Sequence, residues 1–170
     1  MKQQKTISFI LCLLVMTFSL QGQQTLIHAG RLIDTEKKST KKNIDILVEG
    51  NRIVKVGKSL KSNSSTVIDL GNKTVLPGLI DGHTHICLTP DYSRNPPVLY
   101  KTNTYRTMEA FKAAKQILNA GFTTIRDVDN EGADMADIAV RDAINEGMFV
   151  GPRIFVSGWA ISITGGHMNL

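Results

Sequence analysis

His83 and His85 stand one residue apart at the end of the apolar run Val75-Leu76-Pro77-Gly78-Leu79-Ile80. On a β-strand, residues i and i+2 point to the same face, so both imidazoles can reach one metal ion while Thr84 points away. Neutral imidazole nitrogens suit zinc and other transition metals. A catalytic centre of that kind takes three protein ligands and leaves one position open for water. The spacing does not fix the third ligand. The other histidines are His28 and His167, and Asp81 shares the face of the pair if the strand starts early enough. Cys87, two residues beyond His85, offers a soft thiolate, although a lone cysteine in such a setting more often packs as a small hydrophobe. A bare His-x-His is also met as two ordinary strand histidines; its place in the chain gives it weight.

The pair needs a strand to carry it, and Leu79-Ile80 reads as the entry to a buried one. Residues 104–119 predict a helix, with Thr104 or Thr107 as cap, Met108, Phe111, Ala114 and Leu118 at helical spacing, and Gly121 as its stop. Residues 122–128 are β-branched and predict a second buried strand. Residues 133–145 predict a second helix, with Met135, Ile138, Ala139 and Ala143 on one side and Gly147 closing it. A third strand follows at 152–157, then a loop over 158–167. Strands alternating with helices predict an α/β fold with a parallel sheet and right-handed crossovers. Either an open doubly wound sheet or a (β/α)8 barrel meets that pattern. In barrels the C-terminal strand ends carry the active site, which is where the two histidines fall. Arg126 and Asp127, at the end of the second strand, read as a local ion pair. The stretch 88–103, with Pro90, Pro96 and Pro97, reads as a binding loop or lid. The sequence stops after the third strand, so residues 77–170 read as the N-terminal part of a longer barrel.

Residues 23–76 are patterned as β throughout. Short strands are expected at 25–28 and 31–33 around Ala29-Gly30, and at 66–69 and 74–76 around a turn at 71–73. Residues 43–48 and 53–56 form a hairpin through Glu49-Gly50-Asn51-Arg52. This predicts a small domain of β-sandwich type that needs strands from elsewhere.

Residues 1–22 have the layout of a secretory signal peptide, with Lys2 and Lys5 ahead of an apolar run from Ile7 to Leu20. The run is short for a membrane span, so export to the periplasm or the exterior is expected, with no stable span after cleavage; an uncleaved anchor is the competing reading. Cleavage falls somewhere within residues 19–24. Two of the five net positive charges lie in this segment. The remaining basic runs, at Lys37, Lys38, Lys41 and Lys42 and at Lys58 and Lys61, read as solvated loops and give no case for nucleic acid. Cys12 leaves with the signal, and Cys87 alone cannot form an internal disulfide.

The run Gly78-Leu79-Ile80-Asp81-Gly82-His83-Thr84-His85, preceded by Thr74-Val75-Leu76-Pro77, resembles the strand-one signature of the amidohydrolase superfamily. The hairpin at 46–56 and the Val67-Ile68-Asp69-Leu70-Gly71 turn resemble the small β domain those enzymes carry before the barrel. The resemblance runs from Thr25 to Leu170. Residues 120–127 and the stretch from Ser157-Gly158 to Ile163-Thr164-Gly165-Gly166-His167 are similar to the imidazolonepropionase-like and Xaa-Pro dipeptidase-like (prolidase-like) branch. The resemblance implies a TIM-like (β/α)8 barrel, of which about three strands are present, and a divalent metal centre of one or two ions, usually zinc. His83 and His85 would bind the more buried metal. The other implied ligands are a carboxylated lysine or glutamate on strand four, histidines on strands five and six, and an aspartate on strand eight that serves as proton shuttle. None of those strands is present, so no catalytic acid or base is assigned here. His167 would face the substrate and bind its carboxylate or scissile group. The implied reaction is hydrolysis of carbon–nitrogen bonds by metal-activated water, on a small-molecule or dipeptide substrate of Xaa-Pro or cyclic-amide type, in a protein that can be a homo-oligomer. Two alternatives stand beside it. One is a nucleobase deaminase of the same superfamily, which the Gly-Gly-His loop counts against. The other is a truncated, inactive remnant or non-enzymatic binding fragment.

Overall fold

The computed structural model describes residues 24–61, 66–88 and 100–166. The signal segment, most of the proline-rich stretch and His167 lie outside the described residues. The chain divides into two compact units, with the boundary between Pro77 and Gly78.

The first unit is a single mixed sheet. Its strands are β1 (Gln24–Asp34), β2 (Ser39–Glu49), β3 (Arg52–Gly57) and β4 (Thr66–Val75), in the order β3-β2-β1-β4. β1 and β2 pair antiparallel, as do β2 and β3, whereas β1 and β4 run parallel. The expected hairpin is present, and Gly50 at its tip takes φ 58°, a conformation cheap only for glycine. Two expected breaks are absent. β1 runs through Ala29-Gly30 and β4 runs through residues 71–73. Their register shifts between Ala29 and Arg31, and a Cβ placed on Gly30 would lie 1.9 Å from the Gly71 carbonyl oxygen. Gly30 therefore lets two backbones approach closely at a bulge instead of ending the strand. No second layer faces this sheet among the described residues of the unit, so the unit is a sheet and not a sandwich by itself. His28 is paired within it: Nδ1 lies 2.7 Å from Asp45 Oδ1, and Asp45 Oδ2 accepts from the Leu60 amide. The bond from the His28 side chain, then that from the Leu60 amide, holds the Asp45 carboxyl below its usual range.

The second unit is built as strand, helix, strand, helix, strand. β5 (Leu79–Thr84), β6 (Phe122–Asp127) and β7 (Arg153–Val156) are parallel and lie in the order β5-β6-β7. Between them run α1 (Asn103–Asn119) and α2 (Ala136–Asn145). Ile125 and Ile154 are register partners and share a face. They pack in one cluster with Ala110 and Ala114 of α1 and with Ala136 and Val140 of α2. Both helices therefore cover the same side of a sheet whose strands follow chain order. That arrangement matches consecutive units of a barrel, whereas a doubly wound sheet reverses its order and uses both faces. Burying each isoleucine contributes about 1.5–3 kcal/mol.

α1 starts one residue earlier and α2 three residues later than the periodicity predicts, and both bury a different stripe. Thr102 caps α1, its Oγ1 accepting from the Tyr105 amide. The buried stripe of α1 is Arg106, Ala110 and Ala114, and Met108 is exposed. α2 begins at Ala136, with Met135 exposed just before it and Asp137 and Val140 buried. Gly121 and Gly147 close the helices at φ 96° and 77°, as expected. Leu79 and Ile80 are exposed, not buried; among the described residues β5 pairs only with β6 and is an edge strand. No helix among the described residues is long and apolar enough to cross a membrane.

Candidate metal centre at the strand ends

β5 delivers both histidines at its C-terminal end. The pairing with β6 shifts register between Asp81 and Thr84, and the Asp81 carboxylate accepts from the His83 amide at 3.0 Å. Asp81 is thus used in fixing the backbone at the shift. His83 Nε2 and His85 Nε2 lie 3.2 Å apart, with the ring planes inclined at 57°. Two imidazoles on one tetrahedral metal, with bonds of about 2.0–2.1 Å, have their nitrogens about 3.3 Å apart. The spacing therefore fits a divalent ion of the zinc class.

The other face of His85 meets an acidic loop. His85 Nδ1 lies 2.8 Å from Glu131 Oε1, in an approach angled away from the in-line hydrogen-bond direction. One ligand atom each from His85, Asp129 and Glu131 lie within 4.8 Å of one another. Asp129 is buried; its Oδ1 accepts from the Ala160 amide, which ties this loop to the one after β7. Asn130 is fully buried and wires the turn itself, its Oδ1 accepting from Gly132 N and its Nδ2 donating to Asp134 O.

Beneath the pair sits a layer that holds these segments in place. Asp127, at the end of β6, has no exposed surface, and its Oδ1 accepts from the Ile86 amide and from Thr84 Oγ1. Burial, reinforced by the neighbouring Asp137 and Asp129 charges, pushes its carboxyl up to about 7 against the pull of those two hydrogen bonds. Arg106 reaches up from α1, and its Nη2 donates to the carbonyls of Cys87 and Glu131. Asp137, in the first turn of α2, accepts from the Gly158 amide. Cys87 is buried in this layer, and desolvation pushes its thiol up to about 12.

His83 and His85 are brought together as their spacing predicts. His28 is committed to Asp45 in the first unit, and Cys87 packs in the core. Arg126 is exposed and points away from buried Asp127, as neighbours on a strand must, so the expected ion pair is absent. Sequence reasoning missed Asp129, Glu131 and Arg106. An available signal was the Asp129-Asn130-Glu131 run immediately past a strand end, where barrel sites collect polar groups. Another was an arginine in register with Ala110 and Ala114 on a helix.

The sequence pattern of the amidohydrolase family matches residues 74–168. A solved Xaa-Pro dipeptidase with methionine bound in its active site is 37% identical, with a TM-score of 0.76 over 86% of this chain and 36% of that one. Ochratoxinase of Aspergillus niger is 30% identical over 92% of this chain and 32% of its own length. A 5'-deoxyadenosine deaminase of Methanothrix thermoacetophila is 51% identical over 64 residues, 38% of this chain and 15% of the deaminase. The chain spans about a third or less of the length of these relatives.

Proposed function

Because the chain belongs to the amidohydrolase family, we propose that it contributes the first metal ligands, His83 and His85, to a hydrolase acting on carbon–nitrogen bonds in a dipeptide or cyclic amide. The observation that carries this reading is the 3.2 Å separation of the two Nε2 atoms at the C-terminal end of β5. The reading includes a closed (β/α)8 barrel completed by further strands, and a sandwich completed around the first unit. It also includes export of the protein.

A bound divalent ion would supply Lewis-acid polarisation of the substrate carbonyl and activation of water. The chain's own groups have separate tasks. The two Nε2 atoms offer lone pairs toward one point. The Asp127 bonds to Ile86 and Thr84 fix the backbone on either side of His85. His167 follows Gly165-Gly166, and we assign it to holding a substrate carboxylate or scissile group. Prolidase-type specificity is supported by the likeness to the Xaa-Pro dipeptidase.

The test is made on a polypeptide that includes the remaining barrel strands. Metal analysis and hydrolysis of Xaa-Pro and other dipeptides are measured before and after chelation. Bound metal with chelator-sensitive hydrolysis is expected; a folded protein without metal sinks the reading. The 51% identity to a deaminase over a short segment favours deamination as the second reading. Ammonia release from adenosine-type substrates, without dipeptide hydrolysis, would select it.

A further inference from the structure

We propose that the bulge across the first sheet forms a binding pocket for a small phosphate-class dianion, held by Arg31, Lys42 and Lys73. The strands lose regularity at one level. Between the pairs Ala29–Leu70 and Arg31–Thr74, one residue of β1, Gly30, faces three of β4, Gly71, Asn72 and Lys73. On β2, Asn43 takes φ 50° between Lys42 and Ile44, the partners of Arg31 and Ala29. Extra residues of this kind leave the ladder and re-aim their side chains. At this level lies a cavity of about 290 Å³, lined by Gly30, Arg31, Lys42, Gly71, Asn72 and Lys73. All six residues belong to the first unit.

The charges around this cavity are of one sign. Register sets Arg31 directly opposite Lys42, and like charges so placed destabilise a sheet. Lys73 adds a third cation, one residue before Thr74, the β4 partner of Arg31. Neighbouring carboxylates are engaged elsewhere. Asp34 pairs with Lys41, Asp45 with His28, and Asp69 accepts from the Gly71 amide. None of the three cations forms an ion pair among the described residues. A bound anion would relieve the repulsion and serve all three at once. A carboxylate brings a single charge, whereas a phosphate group brings about two, with three acceptor oxygens. The planar guanidinium fork can grip two of these, an ammonium acts as a point charge, and the Asn72 amide adds a neutral donor.

The experiment uses the barrel-completed protein, with Arg31→Gln and Lys73→Gln. Arg52→Gln removes an exposed cation of the same unit that does not line the cavity. Calorimetric titrations with inorganic phosphate and with glycerol phosphate are run at about 0.15 M salt. Saturable binding is expected, weakened about tenfold by either cavity substitution and less than twofold by Arg52→Gln. Tighter binding of inorganic phosphate marks the free anion as the ligand, and the reverse order marks an ester; either supports the pocket. In phosphate-free buffer Arg31→Gln should melt no lower than wild type, because a like-charge pair is removed. Phosphate should raise the melting temperature of wild type more than that of Arg31→Gln. Binding of both compounds weaker than about 10 mM overturns the proposal. So does binding that neither cavity substitution weakens, since the anion then sits elsewhere, and so does equal weakening by Arg52→Gln, which would mark diffuse charge. A lower melting temperature of Arg31→Gln without phosphate also overturns it, because Arg31 would then serve the fold.

Discussion

Asp127 Oδ1 accepts the Ile86 amide at 2.8 Å, joining the end of β6 to the residue that follows His85. The bond spans 41 positions in sequence and is made by a side chain with no exposed surface. It has a cost, because the same burial that shields the bond disfavours the charged carboxylate.

That cost is measurable as pH dependence. The Asp127 carboxyl is raised from 3.8 to about 7, so between those values the folded state binds the proton more tightly than the unfolded state. Its contribution to stability is full below about 3.8 and is lost as pH rises through about 7. The loss is on the order of 4 kcal/mol. Asp127→Asn keeps a carbonyl oxygen for the Ile86 amide and Thr84 hydroxyl, and should flatten this slope. Denaturant titrations from pH 5 to pH 8 on both proteins test it; parallel curves would show that Asp127 does not titrate there.

The close approach in the first unit gives a second prediction. The Gly71 carbonyl oxygen that a Gly30 Cβ would meet at 1.9 Å is backbone, so no side chain can swing aside. Gly30→Ala should cost about 1–3 kcal/mol or more as β1 and β4 are forced apart. Gly50→Ala, where a Cβ meets nothing within 4 Å, should cost only about 1 kcal/mol from its positive φ. Equal losses in thermal melts would refute the distinction.

The contrast between those glycines also marks how far the sequence was legible. Gly50 sits between two β-patterned runs, and local chemistry suffices to place the hairpin. Gly30 is required by the backbone at residue 71, far away in sequence, so taken alone it reads as a break. The site divides in the same way. His83 and His85 follow from a period of two along one strand. Glu131 meets His85 only after β6 has been laid beside β5, and Arg106 meets the Cys87 and Glu131 carbonyls only after α1 has crossed back. Met108 looked buried because helical spacing fixes a stripe without fixing which stripe faces the sheet; Arg106, the counter-intuitive member, was on the buried one.

Cys87 should be inert. Its thiol, pushed up to about 12 by burial and then by the Asp127 charge, leaves a thiolate fraction at pH 8 roughly a thousandfold below that of an ordinary exposed cysteine. Its side chain has only 1% relative exposure. Labelling by iodoacetamide in native buffer should therefore be negligible over hours and complete within minutes in denaturant. Rapid native labelling would mean that the segment after His85 opens readily.

Arg106 offers the most severe test of how the second unit is held together. The residue is 1% exposed, and Nη2 bridges the Cys87 and Glu131 carbonyls, while Nε and Nη1 have no hydrogen-bond partner among the described residues. Arg106→Met fills similar space and removes the desolvated charge, yet strands two carbonyls. Bonds to a charged donor contribute about 1.5–3 kcal/mol each, and relief of the buried charge offsets part of their loss. A net destabilisation of about 2–4 kcal/mol is expected from those opposing effects. Arg106→Lys keeps the charge but replaces the planar fork with a compact ammonium, and should restore little of it. The two variants should also show faster amide exchange at Cys87 and Glu131 than elsewhere in the unit, because the lost bonds act there. If Arg106→Met is as stable as wild type, the guanidinium is not what ties the two loops together, and their geometry must come from the Asp127 and Asn130 bonds alone.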